Sequence, residues 1–278
     1  MELADLSNLV PKNGTIALLG DIHEGLVSRS DSIYDAIDRC KEKKSRVLLM
    51  GDLIEARQVH HPFYSLENSE GKYATVMAQA DGLVEMLKPI KKNIIGVMDG
   101  NHEMNQGVAE VLPVSKYIAD KLGLDVPSGC YTIKAKIGED NLYATHGYGQ
   151  VNSKAGDADQ RYNNDVRALR RKLRGLAGDC MVMAMGHIHK LRVGHPVREL
   201  AIMGIDKQKA VYTNPEMYRD TVIPETQRWY CSTGSFIRGY MEGITTYVER
   251  GMYYPTELGY IEIQMKNGRV AEVREVIL

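Results

Sequence analysis

Five short apolar runs in this chain end in the same way, and that recurrence narrows the fold more than any other feature. Residues 16–19 lead into Gly20-Asp21-Ile22-His23, and residues 47–50 into Gly51-Asp52-Leu53-Ile54-Glu55. Residues 94–98 lead into Asp99-Gly100-Asn101-His102-Glu103, residues 142–145 into His146-Gly147, and residues 181–185 into Gly186-His187-Ile188-His189. Runs of this length, rich in Val, Ile, Leu and Met, read as buried strands. In open α/β sheets the ligand crevice lies beyond the carboxyl ends of the strands. Five polar clusters at five strand ends can therefore meet in space, although Asp21 and His189 are far apart in the chain.

The intervening segments support that reading. A helix is expected from Ser30, with Ile33, Ile37 and Cys40 on one face. Residues 72–87 carry Val76, Leu83 and Leu87 at helical spacing and are closed by Pro89; residues 114–122 stop at Gly123. A basic helix is expected over 159–176, and a hairpin joins 131–137 to 142–145. Beyond Leu191 the pattern changes to short strands and turns, with Asn214-Pro215 and Ile223-Pro224 breaking helix. A terminal hairpin spans 258–277 around Lys266-Asn267-Gly268. With no repeat or linker, the expectation is one α/β domain over 1–278, with two sheets, the second drawn largely from the C-terminal third.

Composition excludes several function classes. A net charge of −1 gives no whole-molecule attraction to nucleic acid or anionic lipid, so any such attraction must come from a local patch. No run approaches the roughly 18 apolar residues of a membrane span. The start of the chain lacks a basic segment followed by an apolar one, so no signal peptide is expected. Cys40, Cys130, Cys180 and Cys231 are scattered, without a C-x-x-C pair, which suits buried free thiols in a reducing compartment. A cytoplasmic protein without a membrane partner is the expectation; nothing bears on its oligomeric state.

Carboxylate, imidazole and amide donors without thiolate suit Mn²⁺, Fe or Zn²⁺ better than a structural cysteine–zinc site. Each cluster alone is weak, since a Gly-Asp pair after a strand is commonly a turn and Asn101 could cap a helix. Yet five of the eight histidines (His23, His102, His146, His187 and His189) sit at these strand ends, which independent chance does not explain. The ligands suffice for two ions sharing one carboxylate.

In order and spacing, Asp21-x-His23, Gly51-Asp52, Gly100-Asn101-His102-Glu103, His146 and Gly186-His187-x-His189 resemble the calcineurin-like metallophosphoesterase family. Ser232-Thr233-Gly234-Ser235 looks like that family's Asn-Pro-Gly-Ser turn. The resemblance implies a four-layer αββα sandwich, here with a β-rich insertion over about 191–228. It implies two divalent metal ions per chain, with Mn²⁺ favoured and Fe, Zn²⁺ or Ni²⁺ as alternatives. One ion would take Asp21, His23, Asp52 and His189. The other would take Asp52, Asn101, His146 and His187, with Asp52 bridging. His102 would face the scissile phosphate as general acid or transition-state stabiliser, oriented by Glu55, which stands where the family more often has aspartate. A hydroxide generated between two metals would attack phosphorus in line.

The departures bear on substrate. Phosphoprotein phosphatases of this kind carry arginine directly after the acid of the second motif; here Ala56 stands there and Arg57 follows. Purple acid phosphatases use a tyrosine ligand where Glu55 stands. His60-His61 reads as an exposed loop pair beside an already complete site. The segment 162–198 holds eight Lys and Arg against two Asp, a net +6, so Arg170, Arg171 and Arg174 become candidate contacts to a polyanion, with Arg57. A solvated helix face explains that charge as well. The tyrosine-rich stretch 212–254, with Trp229, offers stacking surfaces for bases or packing for an inserted β-layer. The function expected is a phosphodiesterase acting on DNA, RNA or nucleotides, a nuclease among the options. The alternatives are a phosphomonoesterase on small phosphates and a metal-bearing interaction scaffold, which would have no need of His102.

Overall fold

The computed structural model describes residues 1–57, 69–105, 112–204, 207–218 and 222–278. In chain order the elements are β1 (Glu2–Asp5), β2 (Gly14–Leu19), α1 (Ser32–Lys43), β3 (Arg46–Met50), α2 (Val76–Leu87), β4 (Ile94–Met98), α3 (Val114–Leu122) and β5 (Ser128–Cys130). There follow β6 (Thr132–Ile137), β7 (Asp140–Thr145), α4 (Ala158–Leu173), β8 (Val182–Met185), β9 (Leu191–Gly194), β10 (Leu200–Met203) and β11 (Lys209–Tyr212). The chain closes with β12 (Trp229–Thr233), α5 (Tyr247–Arg250), β13 (Gly259–Lys266) and β14 (Arg269–Ile277).

Period-two alternation assigns the faces of the strands. Ile16, Leu18, Leu48 and Met50 meet Ile133, Ala135, Leu142, Ala144, Val182 and Ala184 in a core between two six-stranded sheets. The alternate residues Ala17, Leu19, Val47 and Leu49 turn outward, under Ile33 and Ile37 of α1, Leu83 and Leu87 of α2 and Ile118 of α3. On the opposite outer face Leu169 and Leu173 of α4 cover Tyr143, Met183 and Tyr230. Helix, sheet, sheet, helix is the four-layer αββα arrangement. The sheet orders are β14-β13-β2-β3-β4-β5 and β1-β6-β7-β8-β12-β9. β2, β3 and β4 run parallel, as do β7, β8 and β12, so the expected polar clusters all follow carboxyl ends. Strands buried on both faces explain why the sequence shows continuous apolar runs there.

Several local expectations hold for identifiable reasons. Thr75 caps α2 by accepting from Ala78 N at 3.1 Å, and Asp157 caps α4 by accepting from Gln160 N at 2.8 Å. Asn267 and Gly268, at φ 54° and 80°, form the tight turn of the terminal hairpin. Two expectations change. The terminal hairpin does not build the second sheet: β13 pairs antiparallel with β2 and so completes the first one. The second sheet comes mainly from the middle of the chain and recruits the polar, unheralded β1 parallel to β6. Within 191–228, β9 pairs with β12 inside the second sheet, whereas β10 and β11 form a separate two-stranded ribbon. Cys40, Cys180 and Cys231 are buried, Cys130 is half-buried, and all four are free thiols. Among the described residues no helix is long and apolar enough to cross a membrane.

Candidate metal centre

The loops after β2 and β3 are zipped together by Asp21 N to Gly51 O and His23 N to Asp52 O, each 3.0 Å. Glu103 ties in the loop after β4. Its Oε2 accepts from Asp52 N at 2.9 Å and Gly100 N at 2.7 Å, and its Oε1 from Leu53 N at 2.7 Å and Ile54 N at 3.1 Å. The approach is so close that a Cβ on Gly100 would lie 2.1 Å from Asp52 Oδ1. Asp21, His23, Asp52, His187 and His189 all have left-handed backbone, with φ between 47° and 70°. Each such residue costs on the order of 1–2 kcal/mol outside glycine, and clusters of them mark functional sites. The strain aims all five side chains at one point.

The rings of His146, His189 and His23 are each turned by a hydrogen bond on the nitrogen away from Asp21 and Asp52. His146 Nδ1 donates to Met50 O at 2.9 Å, leaving Nε2 3.2 Å from Asp52 Oδ2 and 3.0 Å from Asn101 Oδ1. His187 sits with Nδ1 2.6 Å from Asn101 Oδ1, while its backbone N donates to both oxygens of Asp21. His189 Nδ1 meets Tyr247 Oη at 2.6 Å, and its Nε2 lies 3.2 Å from Asp21 Oδ1. His23 Nδ1 meets Glu55 Oε2 at 2.9 Å; its Nε2 is buried, has no hydrogen-bond partner and lies 3.8 Å from Asp52 Oδ2. Metal-binding histidines are commonly held in this way, with the second nitrogen fixed by a carbonyl or carboxylate.

The donor atoms of Asp21, His23, Asp52 and His189 lie within 4.8 Å of one another, and so do those of Asp52, His146 and His187. Asp52 belongs to both groups. An orphaned buried imidazole nitrogen, two buried carboxylates and a hard oxygen–nitrogen donor set fit two divalent cations. The electrostatics point the same way. Burial opposes ionisation of Asp21 and Asp52, yet the surrounding histidines hold both carboxyls below their ordinary range. Burial would depress His146, but Asp52 and Asp21 push it up to about 9. His102 is also raised, by Asp52 and Glu55 against burial, whereas burial lowers His23 and His187. Burial and the neighbouring Asp52 lift Glu103 to about 7, against the four backbone donors.

Glu55 serves two histidines. Its backbone carbonyl accepts from His102 Nδ1 at 2.6 Å, and its Oε2, carried one methylene further than an aspartate would allow, lies 2.9 Å from His23 Nδ1 and 3.7 Å from His102 Nδ1. Its Oε1 pairs with Arg57 Nε at 2.9 Å, which places Arg57, with its side chain 29% exposed, at the edge of the cluster. The α4 arginines lie elsewhere. Arg170 donates to His195 O, just past the end of β9, and Arg174 pairs with Glu225, just before β12 begins. β9 runs antiparallel to β12, so both partners lie at the end of the second sheet opposite the metal donors. Arg167 and Arg171 share the same helix face. His60 and His61 lie outside the described residues. Sequence reading assigned no individual role to Glu103, Tyr148 or Tyr247. For Glu103 the signal was its place directly after His102; Tyr247 lies in the tyrosine-rich stretch 212–254 but was not singled out within it, and nothing in the local pattern distinguished Tyr148.

Comparison with known proteins adds a family. The calcineurin-like phosphoesterase model matches residues 14–199, well over half of the 278. No curated protein matches the chain. Among solved structures, Vps29 of Entamoeba histolytica in complex with Zn²⁺ is similar at 12% identity and TM-score 0.43, over 95% of this chain and 98% of that one. Vps29 of Cryptosporidium parvum is similar at 16% identity and TM-score 0.37, over 96% and 99%. A protein described as a candidate diadenosine tetraphosphatase is similar at 13% identity and TM-score 0.37, over 99% and 97%. The family match contains every donor of the two clusters, and the chain belongs to the calcineurin-like phosphoesterase family.

Proposed function

We propose that this chain is a two-metal phosphodiesterase acting on nucleotide units, either free or within a nucleic-acid strand. Asp21, His23, Asp52 and His189 would hold one ion, and Asp52, Asn101, His146 and His187 the other. When bound, two such ions lower the pKa of a water and hold the phosphoryl oxygens. The remaining work falls to side chains. His102 belongs to neither four-residue set; its Nδ1 is fixed on Glu55 O and its Nε2 faces the centre, 3.9 Å from Asp52 Oδ2. A proton held there can pass to the departing alkoxide oxygen. Glu55 keeps His23 aligned, and the Asp21 carboxylate keeps the backbone of His187 in place.

Among the described residues, the observation favouring a diester is that the cations adjoining the donors in the chain are paired with acids. Arg57 is paired with Glu55, and Lys190 and Arg192 are both paired with the buried Asp165. A monoester dianion calls for more positive charge than this, whereas a diester carries one negative charge. Mn²⁺ is the favoured metal on donor chemistry, and four free thiols suit a reducing, cytoplasmic setting. The test is parallel hydrolysis of p-nitrophenyl phosphate, bis-p-nitrophenyl phosphate, mononucleotides, cyclic nucleotides and short single-stranded DNA and RNA, each with Mn²⁺, Zn²⁺, Fe²⁺ or Ni²⁺. Preference for diesters supports the proposal; preference for monoesters would assign the centre to a phosphatase, and inactivity with every metal would leave a scaffold.

A further inference from the structure

Tyr148 stands two residues beyond His146, and its environment does not fit a casual surface residue. Its ring lies nearly parallel to that of His187, at 19° and 6.1 Å between centroids, and the His187 ring is itself 5.4 Å from His146. Three rings thus lead outward from the donor cluster: His146 is fully buried, His187 half-buried, and Tyr148 is 82% exposed. The backbone that presents the tyrosine is tied on both sides. Tyr131 Oη donates to Gly147 O at 2.5 Å, Lys172 Nζ donates to Tyr148 O at 3.0 Å, and Lys190 Nζ donates to Val151 O at 2.7 Å. Gly147 and Gly149 flank it at φ 83° and 73°, a bend that ordinary residues adopt only with strain.

A large aromatic face is thus left in water, on a pinned loop, beside the site of bond cleavage. Leaving such a ring exposed forgoes its burial energy, and fixing it in advance lowers the entropy cost of stacking a ligand on it. We infer that Tyr148 is the stacking platform for the nucleobase attached to the scissile phosphate, so that the preferred substrates are esters of nucleoside phosphates. This rests on the phosphodiesterase reading and adds to it a residue that selects the substrate.

The experiment compares two esters with the same leaving group, the p-nitrophenyl ester of thymidine monophosphate and methyl p-nitrophenyl phosphate, on the Mn²⁺-loaded protein. The wild type should prefer the nucleoside ester in kcat/KM. Tyr148→Ala should lower the ratio of the two kcat/KM values about tenfold, the usual scale of one base–aromatic stack, and Tyr148→Phe should preserve it. An unchanged ratio in Tyr148→Ala, a parallel fall of both activities, or loss of the ratio in Tyr148→Phe would each overturn the assignment. Calorimetric binding of thymidine monophosphate and methyl phosphate provides a second arm independent of turnover. A wild type that cleaves neither ester, yet binds the nucleotide more tightly in a manner lost in Tyr148→Ala, would retain the platform and refute the hydrolase. Equal binding of nucleotide and methyl phosphate would refute the platform.

Discussion

Glu103 uses two oxygens to hold four backbone N–H groups, three of them in the loop that carries Asp52 and Glu55. Glu103→Gln keeps the shape but turns an N–H₂ group toward those donors. Leaving buried donors unsatisfied costs about 1–3 kcal/mol each, so the variant should melt several degrees lower and bind metal more weakly. An unchanged melting temperature would show that the loop does not depend on this residue. Asp52 belongs to both donor groups and His189 to one. Asp52→Asn should therefore disturb both ions and His189→Ala mainly one, as counted by elemental analysis of the purified proteins. His102→Ala should retain both ions and lose on the order of 10²–10⁴ in turnover, the usual range for a general acid. Glu55→Gln removes a negative charge from both His23 and His102: affinity for the ion at Asp21 and His23 should fall, and the limb of the pH profile attributed to His102 should move to lower pH.

Among elements, α4 shows why counting charges along the chain misplaces a surface. The net +6 of residues 162–198 disperses in three directions once folded. Lys190 and Arg192 are paired with Asp165, Arg174 with Glu225, and Lys172 holds the Tyr148 loop. The face with Arg167, Arg170, Arg171 and Arg174 points away from the donors. Reversing Arg170, Arg171 and Arg174 to glutamate should leave hydrolysis of a small diester within about twofold, since charges beyond roughly 8–10 Å are largely screened at physiological salt. A large fall in that activity, measured well below the melting temperature of the variant, would bring the helix back to the site. Such a variant should still melt lower, because Glu225 loses its partner.

For the whole molecule, the centre links metal, protons and stability. Without metal, His146 is raised to about 9, and it contributes stability that is complete below about pH 6.5 and lost as pH rises through about 9; His102, also raised, acts with the same sign. Glu103, raised to about 7, has the same sign: folding favours its proton, and that contribution is lost as pH rises from about 4.5 to 7. His23 and His187 are lowered, so their neutral forms favour folding above about 6.5, and acid removes that advantage. The metal-free protein should therefore lose about 1–3 kcal/mol of stability between pH 6.5 and pH 9. Metal must displace protons from His146, so affinity should rise over the same interval, and the loaded protein should gain stability by mass action. Thermal melts with and without Mn²⁺ across pH 5.5–9.5 would check this; parallel pH curves for the two forms would contradict it.

The strand runs at residues 16–19, 47–50, 94–98, 142–145 and 181–185, and the donor clusters after them, were legible in the sequence because burial on both faces and metal chemistry each demand specific residue types at specific places. The left-handed backbone at Asp21, Asp52 and His187 was not, since nothing in those residue types demands it. What covers what was not legible. A period-two or helical pattern records that one face is buried without naming the element that buries it, so only tertiary pairing placed β13 beside β2 and β1 beside β6. The same holds for polar groups. Which histidine the Glu55 carboxylate approaches more closely depends on one methylene and on the path of two loops, and which arginines face the metals depends on how α4 crosses its sheet. Tyr148 and Tyr247 come to the centre across loops whose local sequence carries no periodic signal, and only the folded chain brings them beside His187 and His189.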